Sequence, residues 1–370
     1  MSAIGLLLVL HLYIGWRIAP QLPGTAAAVV FSLLLAASAA LIPLAFFGRR
    51  AKHRQSADRW TWAGMLALDL FSMLVVLTVL RDLLLVATLP FDLPPLAEPS
   101  AVAVPLLALA ATLIGVFSAR RTASVRNVEV PIAGLPAALH GFTIVQISDL
   151  HVGPTVKAAY VRAVVDRINT LDADAVAITG DLVDGRVQDL AHDVAPLADL
   201  RSRHGSFFVT GNHEYYSGAA EWIALLRGLG LTVLLDEHVV LDHGGAQLVL
   251  AGVADFSARH FIATHRSDPR AAMAGAPRGA GLRVLLAHQP RSADAAADAG
   301  FDVQLSGHTH GGQFWPWNLL VKLQQPFVAG LHRLRSLWVY TSRGTGYWGP
   351  PLRLGAPSEI TRLRFVTAPR

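Results

Sequence analysis

The distribution of apolar and polar positions divides the chain of 370 residues into two regimes. Residues 1–118 are overwhelmingly apolar and form four stretches, at 3–18, 25–47, 62–88 and 101–118. A bilayer-spanning helix needs about 20 apolar residues. The pattern therefore predicts a transmembrane region of about four helices over 1–118. The second stretch is long and uncharged, and the fourth is short but uncharged. The third carries Asp69, Arg81 and Asp82, and the brief first one contains His11. The first lacks the basic leading region of a signal peptide, so it is read as a span. Asp69 lies about two turns inside the third span, a placement expected to serve interhelical packing, with a transported ion or a sensed ligand as the alternative. Arg81 and Asp82, near its far end, are expected to snorkel to the outer interface.

Beyond 118 the pattern shortens. Residues 119–141 begin basic, become mixed and contain Pro131 and Pro136, which predicts a linker. Strands are predicted at Phe142 to Ile147, Ala175 to Ile178, Phe207 to Val209, Val284 to Leu286, Val303 to Leu305, Val339 to Ser342 and Thr361 to Val366. Val239 to Leu241 and Gln247 to Ala251 read as a hairpin through Asp242-His243-Gly244-Gly245. Helical spacing appears over Thr155 to Leu171, Leu190 to Leu200, Ala219 to Leu229 and 291–299. Such alternation predicts an α/β or mixed sheet architecture over 142–370, with helices outside.

The net charge of +5 could suggest a nucleic-acid partner. Many of the basic residues, however, flank the apolar segments: Arg49, Arg50, Lys52, Arg54 and Arg59 after the second, and Arg120, Arg121 and Arg126 after the fourth. The loop from Phe91 to Ser100 has Asp92 and Glu98 but no Lys or Arg. The positive-inside rule then predicts an integral protein of the cell membrane, with everything after 118 in the cytoplasm. Trp16, Trp60 and Trp62 fall at predicted span ends, as an aromatic belt would. Nucleic acid is not an expected partner. With no cysteine, disulfides and thiolate metal ligands are excluded.

The candidate chemistry follows the predicted strands. Asp149-Leu150-His151, Gly180-Asp181, Gly211-Asn212-His213-Glu214, His288 and Gly307-His308-Thr309-His310 each come just after one. In open α/β sheets, sites form beyond the carboxyl ends of strands. Carboxylate, imidazole and amide oxygen suit Mn, Fe or Zn. Two such ions can share a bridging carboxylate and a bridging hydroxide that attacks phosphorus in line. A two-metal hydrolase is the leading expectation.

In this order the motifs D-x-H, G-D, G-N-H-E, H and G-H-T-H resemble the calcineurin-like metallophosphoesterase superfamily, over about 145–310. Gly307 to Gln313, Ser342 to Gly346 and Pro351-Leu352-Arg353 look like its membrane-associated bacterial subgroup, which includes phosphodiesterases and enzymes that cleave UDP-diacylglucosamine. The resemblance implies a four-layer α/β/β/α sandwich and two divalent metal ions. It implies that Asp149, His151 and His310 hold the first metal, that Asp181 bridges, and that Asn212, His288 and His308 hold the second. His213 would act as general acid or transition-state donor, oriented by Glu214. No expected ligand is missing.

The expected activity is hydrolysis of a phosphodiester, phosphomonoester or pyrophosphate. Tethering to the bilayer favours a lipid-linked substrate. The competing expectation is a membrane sensor or scaffold that binds a phosphorylated ligand without turnover. Asp184 is a candidate partner of the ligand set, and Arg343 a candidate phosphate contact. His260 and His265 are expected to be solvated. Phe314, Trp315, Trp317, Tyr347 and Trp348 are expected to form an apolar rim towards lipid.

Overall fold

A computed structural model describes residues 2–47, 54–91 and 94–368. Arg49, Arg50, Lys52 and Asp92, which enter the orientation argument, lie outside the described residues. The chain forms two compact units. One comprises the residues up to Arg120 together with Gly349–Leu354, and the other the rest.

The first unit contains four helices long and apolar enough to cross a membrane. They are α1 (Ala3–Ile18), α2 (Thr25–Phe47), α3 (Arg54–Thr88) and α4 (Ala97–Arg120). Their outward faces are leucine-rich and exposed, as at Leu12, Leu33, Leu83 and Leu113. Small side chains set the inward approach. A Cβ at Gly64 would meet Ala45 and the Leu41 carbonyl of α2. One face of α4 buries Ala101, Val104, Ala108, Thr112 and Gly115. Leu352 fills the notch at Gly115, and the Arg353 amide donates to the Gly115 carbonyl at 3.0 Å.

Arg81 does not snorkel. It is buried, and its guanidinium donates to Gln21, Ser100, the Ala97 carbonyl and Asp82. Those inward acceptors satisfy the guanidinium and remove the reason to reach for water. Asp82 in turn accepts from Tyr13 at 2.8 Å and from two nitrogens of Arg17, each at 2.8 Å.

The second unit strings together β1 (Ser124–Ile132), β2 (Thr143–Ile147), β3 (Ala175–Thr179), β4 (Ser206–Val209), β5 (Thr232–Val233), β6 (Glu237–His243), β7 (Ala246–Gly252), β8 (Leu282–Leu286), β9 (Val303–Ser306), β10 (Gly330–Leu334), β11 (Leu337–Thr341) and β12 (Glu359–Thr367). They form two six-stranded sheets, ordered β1-β12-β2-β3-β4-β5 and β10-β11-β9-β8-β7-β6. The helices are α5 (Ala158–Asn169), α6 (Val187–Val194), α7 (Asn212–Ser217), α8 (Ala219–Gly228), α9 (Pro269–Met273), α10 (Ala293–Asp298) and α11 (Asn318–Val321).

Alternation assigns each strand face. Ile144, Ala175, Ala177, Phe207 and Val209 of one sheet share a core with Leu248, Leu250, Val284, Leu286 and Leu305 of the other. Leu285, Val339 and Ala251 face the opposite way, onto Ala272, Ala293 and Ala296 of α9 and α10. On the far side of the first sheet Val145, Val176 and Phe208 are equally buried. Val161, Val164, Val165 and Ile168 give α5 the apolar stripe such a cover needs. The result is a mixed α/β sandwich, with two sheets face to face and helices on the outside.

The segment 119–141 is not a simple linker, because it carries β1, paired in parallel with β12 from Ser124↔Glu359 to Ile132↔Thr367. Val128, Val130 and Ile132 alternate as a strand should, and Pro131 is tolerated on an edge strand because no neighbour needs its missing N–H. Strands β2 to β5 run parallel, as do β7, β8, β9 and β11. Their carboxyl ends therefore open at common edges of the two sheets, and the polar motifs lie there.

Candidate metal centre

Each polar motif leaves its strand through a sharp turn. Asp149, His151, Asp181, His308 and His310 all have φ between 50° and 70°. This left-handed region is uncommon for residues with a Cβ, and strain of this kind clusters at functional sites. Glycine allows the chains to close in. A Cβ at Gly211 would strike the Asp181 carboxylate, and one at Gly307 would strike Ser148 and Asp149.

These turns bring the expected ligands together in two groups. Asp149, His151 and His310 form one, and Asp181, His288 and His308 the other. In the first, His151 Nε2 lies 3.1 Å from His310 Nε2, which is 3.4 Å from Asp149 Oδ1. In the second, His288 Nε2 lies 3.2 Å from both His308 Nδ1 and Asp181 Oδ2. Asp181 Oδ2 is also 3.8 Å from His151 Nε2. One carboxylate oxygen thus faces both groups.

Neighbours fix which nitrogens face inward. Asp184 Oδ1 takes His151 Nδ1 at 2.9 Å, and the Thr179 carbonyl accepts from His288 Nδ1 at 2.7 Å. With Nδ1 so engaged, Nε2 presents a lone pair. Asn212 Oδ1 is buried without a hydrogen-bond partner. Carboxylates, imidazole nitrogens and an amide oxygen brought this close form a donor set that fits divalent metal ions. Burial raises Asp181, but the adjacent His288 outweighs it and holds the carboxyl well below the usual range. Burial, followed by the charge of His288, pushes His308 down to about 3.

The partner of His213 differs from expectation. Asp184 Oδ1 accepts from His213 Nδ1 at 2.6 Å. Glu214 faces the backbone instead: Oε2 accepts from Gly211 N at 2.6 Å and Asp181 N at 3.0 Å, and Oε1 from Leu182 N at 2.8 Å. At the third position of α7, Glu214 closes a capping box that turns its side chain back on the turn. Burial and the nearby Asp181 raise its carboxyl to about 7. Burial lowers His213, but the Asp184 bond and the Asp181 and Asp184 charges prevail and raise it to about 9.

The rim is partly as expected. Trp315, Trp317 and Trp348 are exposed, with Leu319, Leu320 and Leu323 following. Phe314 is half-buried, and Tyr347 is buried, its hydroxyl donating to the Thr155 carbonyl at 3.1 Å. Trp348 stands edge-to-face 5.8 Å from His213, and Tyr216 does so at 5.2 Å. Phe261 lies 5.5 Å beyond Tyr216. Tyr216 and Phe261 had no motif to announce them. Arg343 pairs with Glu359 at 3.5 Å and packs at Gly311. His265 is half-buried and bonded to the Tyr215 hydroxyl at 2.8 Å, whereas His260 is exposed.

Residues 142–312 match the family described as calcineurin-like phosphoesterase. A "Transmembrane protein with metallophosphoesterase domain" from Bos taurus is 42% identical over 270 residues, covering 70% of this chain and 60% of that protein. Its Danio rerio counterpart is 38% identical over 257 residues, covering 67% and 59%. The chain therefore spans about three fifths of these two relatives' length. An uncharacterized metallophosphoesterase of Campylobacter jejuni is 35% identical over 270 residues, covering 70% of this chain and 68% of that protein.

Proposed function

Since the chain belongs to the calcineurin-like metallophosphoesterase family, we propose that it is a membrane-anchored phosphoesterase with two divalent metal ions, working at the cytoplasmic face. The observation that carries this reading is Asp181 Oδ2. It lies within 4.0 Å of nitrogens on His151, His213 and His288, and so faces both ligand groups and the candidate acid. In this reading Asp149, His151 and His310 hold one ion, Asn212, His288 and His308 the other, and Asp181 is shared. The ions would neutralise phosphoryl oxygens and acidify an attacking water.

The protein's own groups have separate tasks. Asp184 holds His213 by Nδ1 and turns Nε2 towards Asp181. A histidine kept protonated in this way can give its proton to the departing oxygen. Asp184 also holds His151, so one carboxylate aligns a metal ligand and the acid together. Glu214 acts through the backbone, fixing the turns that present Asp181 and Asn212.

The substrate class we favour is a lipid-linked phosphoester. Four membrane-capable helices belong to the same chain, and the exposed Trp315, Trp317, Leu319, Leu320 and Leu323 come shortly after His310. The cytoplasmic orientation follows from the basic residues around Arg59, Arg120 and Arg121. A screen of bis-p-nitrophenyl phosphate and lipid-linked phosphates with detergent-purified protein and added Mn²⁺ tests the reading. Metal-dependent turnover that His308→Ala removes is the expected result. No turnover with any phosphoester would favour a scaffold that binds phosphate ligands.

A further inference from the structure

Asp69 is fully buried in the helical unit, and neither of its carboxylate oxygens has a hydrogen-bond partner among the described residues. The contrast along the same helix is sharp, because Asp82 accepts from Tyr13, Arg17 and Arg81. An isolated ionised carboxylate away from water is costly, so a carboxylate in that position is neutralised by whatever cation can reach it.

The opposite helix supplies a second unpartnered oxygen. Arg81 of α3 bonds the Ala97 carbonyl and Ser100 of α4, and Arg120 of α4 stacks on Trp62 of α3 at 5.0 Å. Between these two ties the helices run antiparallel, so Asp69 is level with Thr112. Thr112 is buried, and its hydroxyl has no hydrogen-bond partner either. Trp62 and Asp69 are seven residues apart, about two turns, and so share one face of α3, the face on which Trp62 meets Arg120 of α4.

The charged groups on the packed elements are committed elsewhere or distant. On α1, His11 bonds the Leu7 carbonyl and Ser38 and stacks on Phe71, while Tyr13 and Arg17 bind Asp82. Helix α2 has no ionisable residue, and α4 has only Glu98 and Arg120, near its two ends. On α3 itself Arg54, Asp58 and Arg59 are near the start, and Arg81 and Asp82 three turns on. Arg353 is buried beside α4 with its amide on the Gly115 carbonyl, and it gives Asp69 no hydrogen bond. Neither Asp69 oxygen accepts a hydrogen bond from any of them.

We propose that Asp69 and Thr112 form a binding site for a monovalent cation, a proton or an alkali ion, inside the helical unit. The site is separate from the phosphoesterase centre, and its test does not depend on turnover. The experiment follows thermal unfolding of the full-length protein in detergent. It uses NaCl or KCl against choline chloride at equal ionic strength, and then a pH series, for wild type, Asp69→Asn and Thr112→Val.

If an alkali ion fills the site, its chloride raises the wild-type Tm saturably over choline. Asp69→Asn abolishes that rise, and Thr112→Val moves its midpoint to higher concentration. If a proton fills it, the alkali ions do nothing beyond choline. The wild-type Tm then falls as pH rises, because the folded state holds the extra proton, and Asp69→Asn flattens the slope. Wild type and Asp69→Asn responding alike to both series would overturn the proposal. An alkali response that Thr112→Val leaves unchanged would remove Thr112 from it.

Discussion

The two ends of the sandwich carry the same residue types and use them differently. At the carboxyl ends of the strands, Asp and His side chains converge with lone pairs facing one another. At the amino ends, Asp174, His204 and His243 also cluster, beside Phe142. There, however, the acceptors are already engaged. Asp174 Oδ2 accepts from the Thr143 amide at 2.8 Å and its hydroxyl at 3.1 Å, and Oδ1 lies 3.5 Å from Arg203. His204 Nε2 and His243 Nδ1 satisfy each other at 3.1 Å. None of these three residues has a left-handed backbone, whereas five of the proposed metal ligands do. Composition alone does not separate a reactive cluster from a structural one. Unused lone pairs held in a strained backbone do.

The largest test of that difference is Asp181→Asn. It removes the anion that both ligand groups face, and turnover is expected to fall to background with less bound metal by elemental analysis. Full activity in this variant would sink the shared-carboxylate reading. Asp184→Asn comes next, with a loss of about 10–100-fold in activity or metal affinity. Its pH–rate profile should also change on the acid-donor limb, which a purely structural role would not produce.

Glu214→Gln replaces an acceptor of three backbone N–H groups with a half-donor, and should cost about 1–3 kcal/mol of stability. A denaturant titration with an unchanged midpoint would contradict it. Trp315→Ala with Trp317→Ala should raise KM for a lipid-linked phosphoester in micelles and leave bis-p-nitrophenyl phosphate turnover unchanged. Equal effects on both substrates would argue against a lipid-facing rim.

The amino-end cluster gives the smallest effect. Burial, followed by the charge of His243, holds His204 below its ordinary 6.5. The folded state then binds fewer protons than the unfolded one, so this contribution is complete above pH 6.5 and is lost as pH falls below it. His204→Gln should flatten the acid side of the Tm–pH curve slightly, with no change in activity. A change in metal content would mean the two ends are not as distinct as described.

The metal-type ligands were legible because their chemistry is narrow and each follows a strand. Asp149, Asp181, Asn212, His288 and His308 needed no distance information to be singled out. Contacts set by packing were less legible. Glu214 follows His213 in sequence, but the capping geometry of α7 turns it to the backbone, and Asp184 reaches His213 from another loop. Arg81 has the sequence context of a snorkelling residue, and only the neighbouring helices supply its inward acceptors. Tyr347 and Trp348 are adjacent aromatics, one buried and one exposed, as the turn dictates. Strand β1 was hidden because its pairing partner is the far end of the chain.

That pairing also sets an order of events during synthesis. Strand β1 neighbours only β12 in its sheet, and β12 follows the other eleven described strands along the chain. Until β12 is made β1 is an open edge, and an open edge invites pairing with another chain. The β1–β12 register runs to Thr367, so a chain interrupted before that residue would leave the first sheet unfinished.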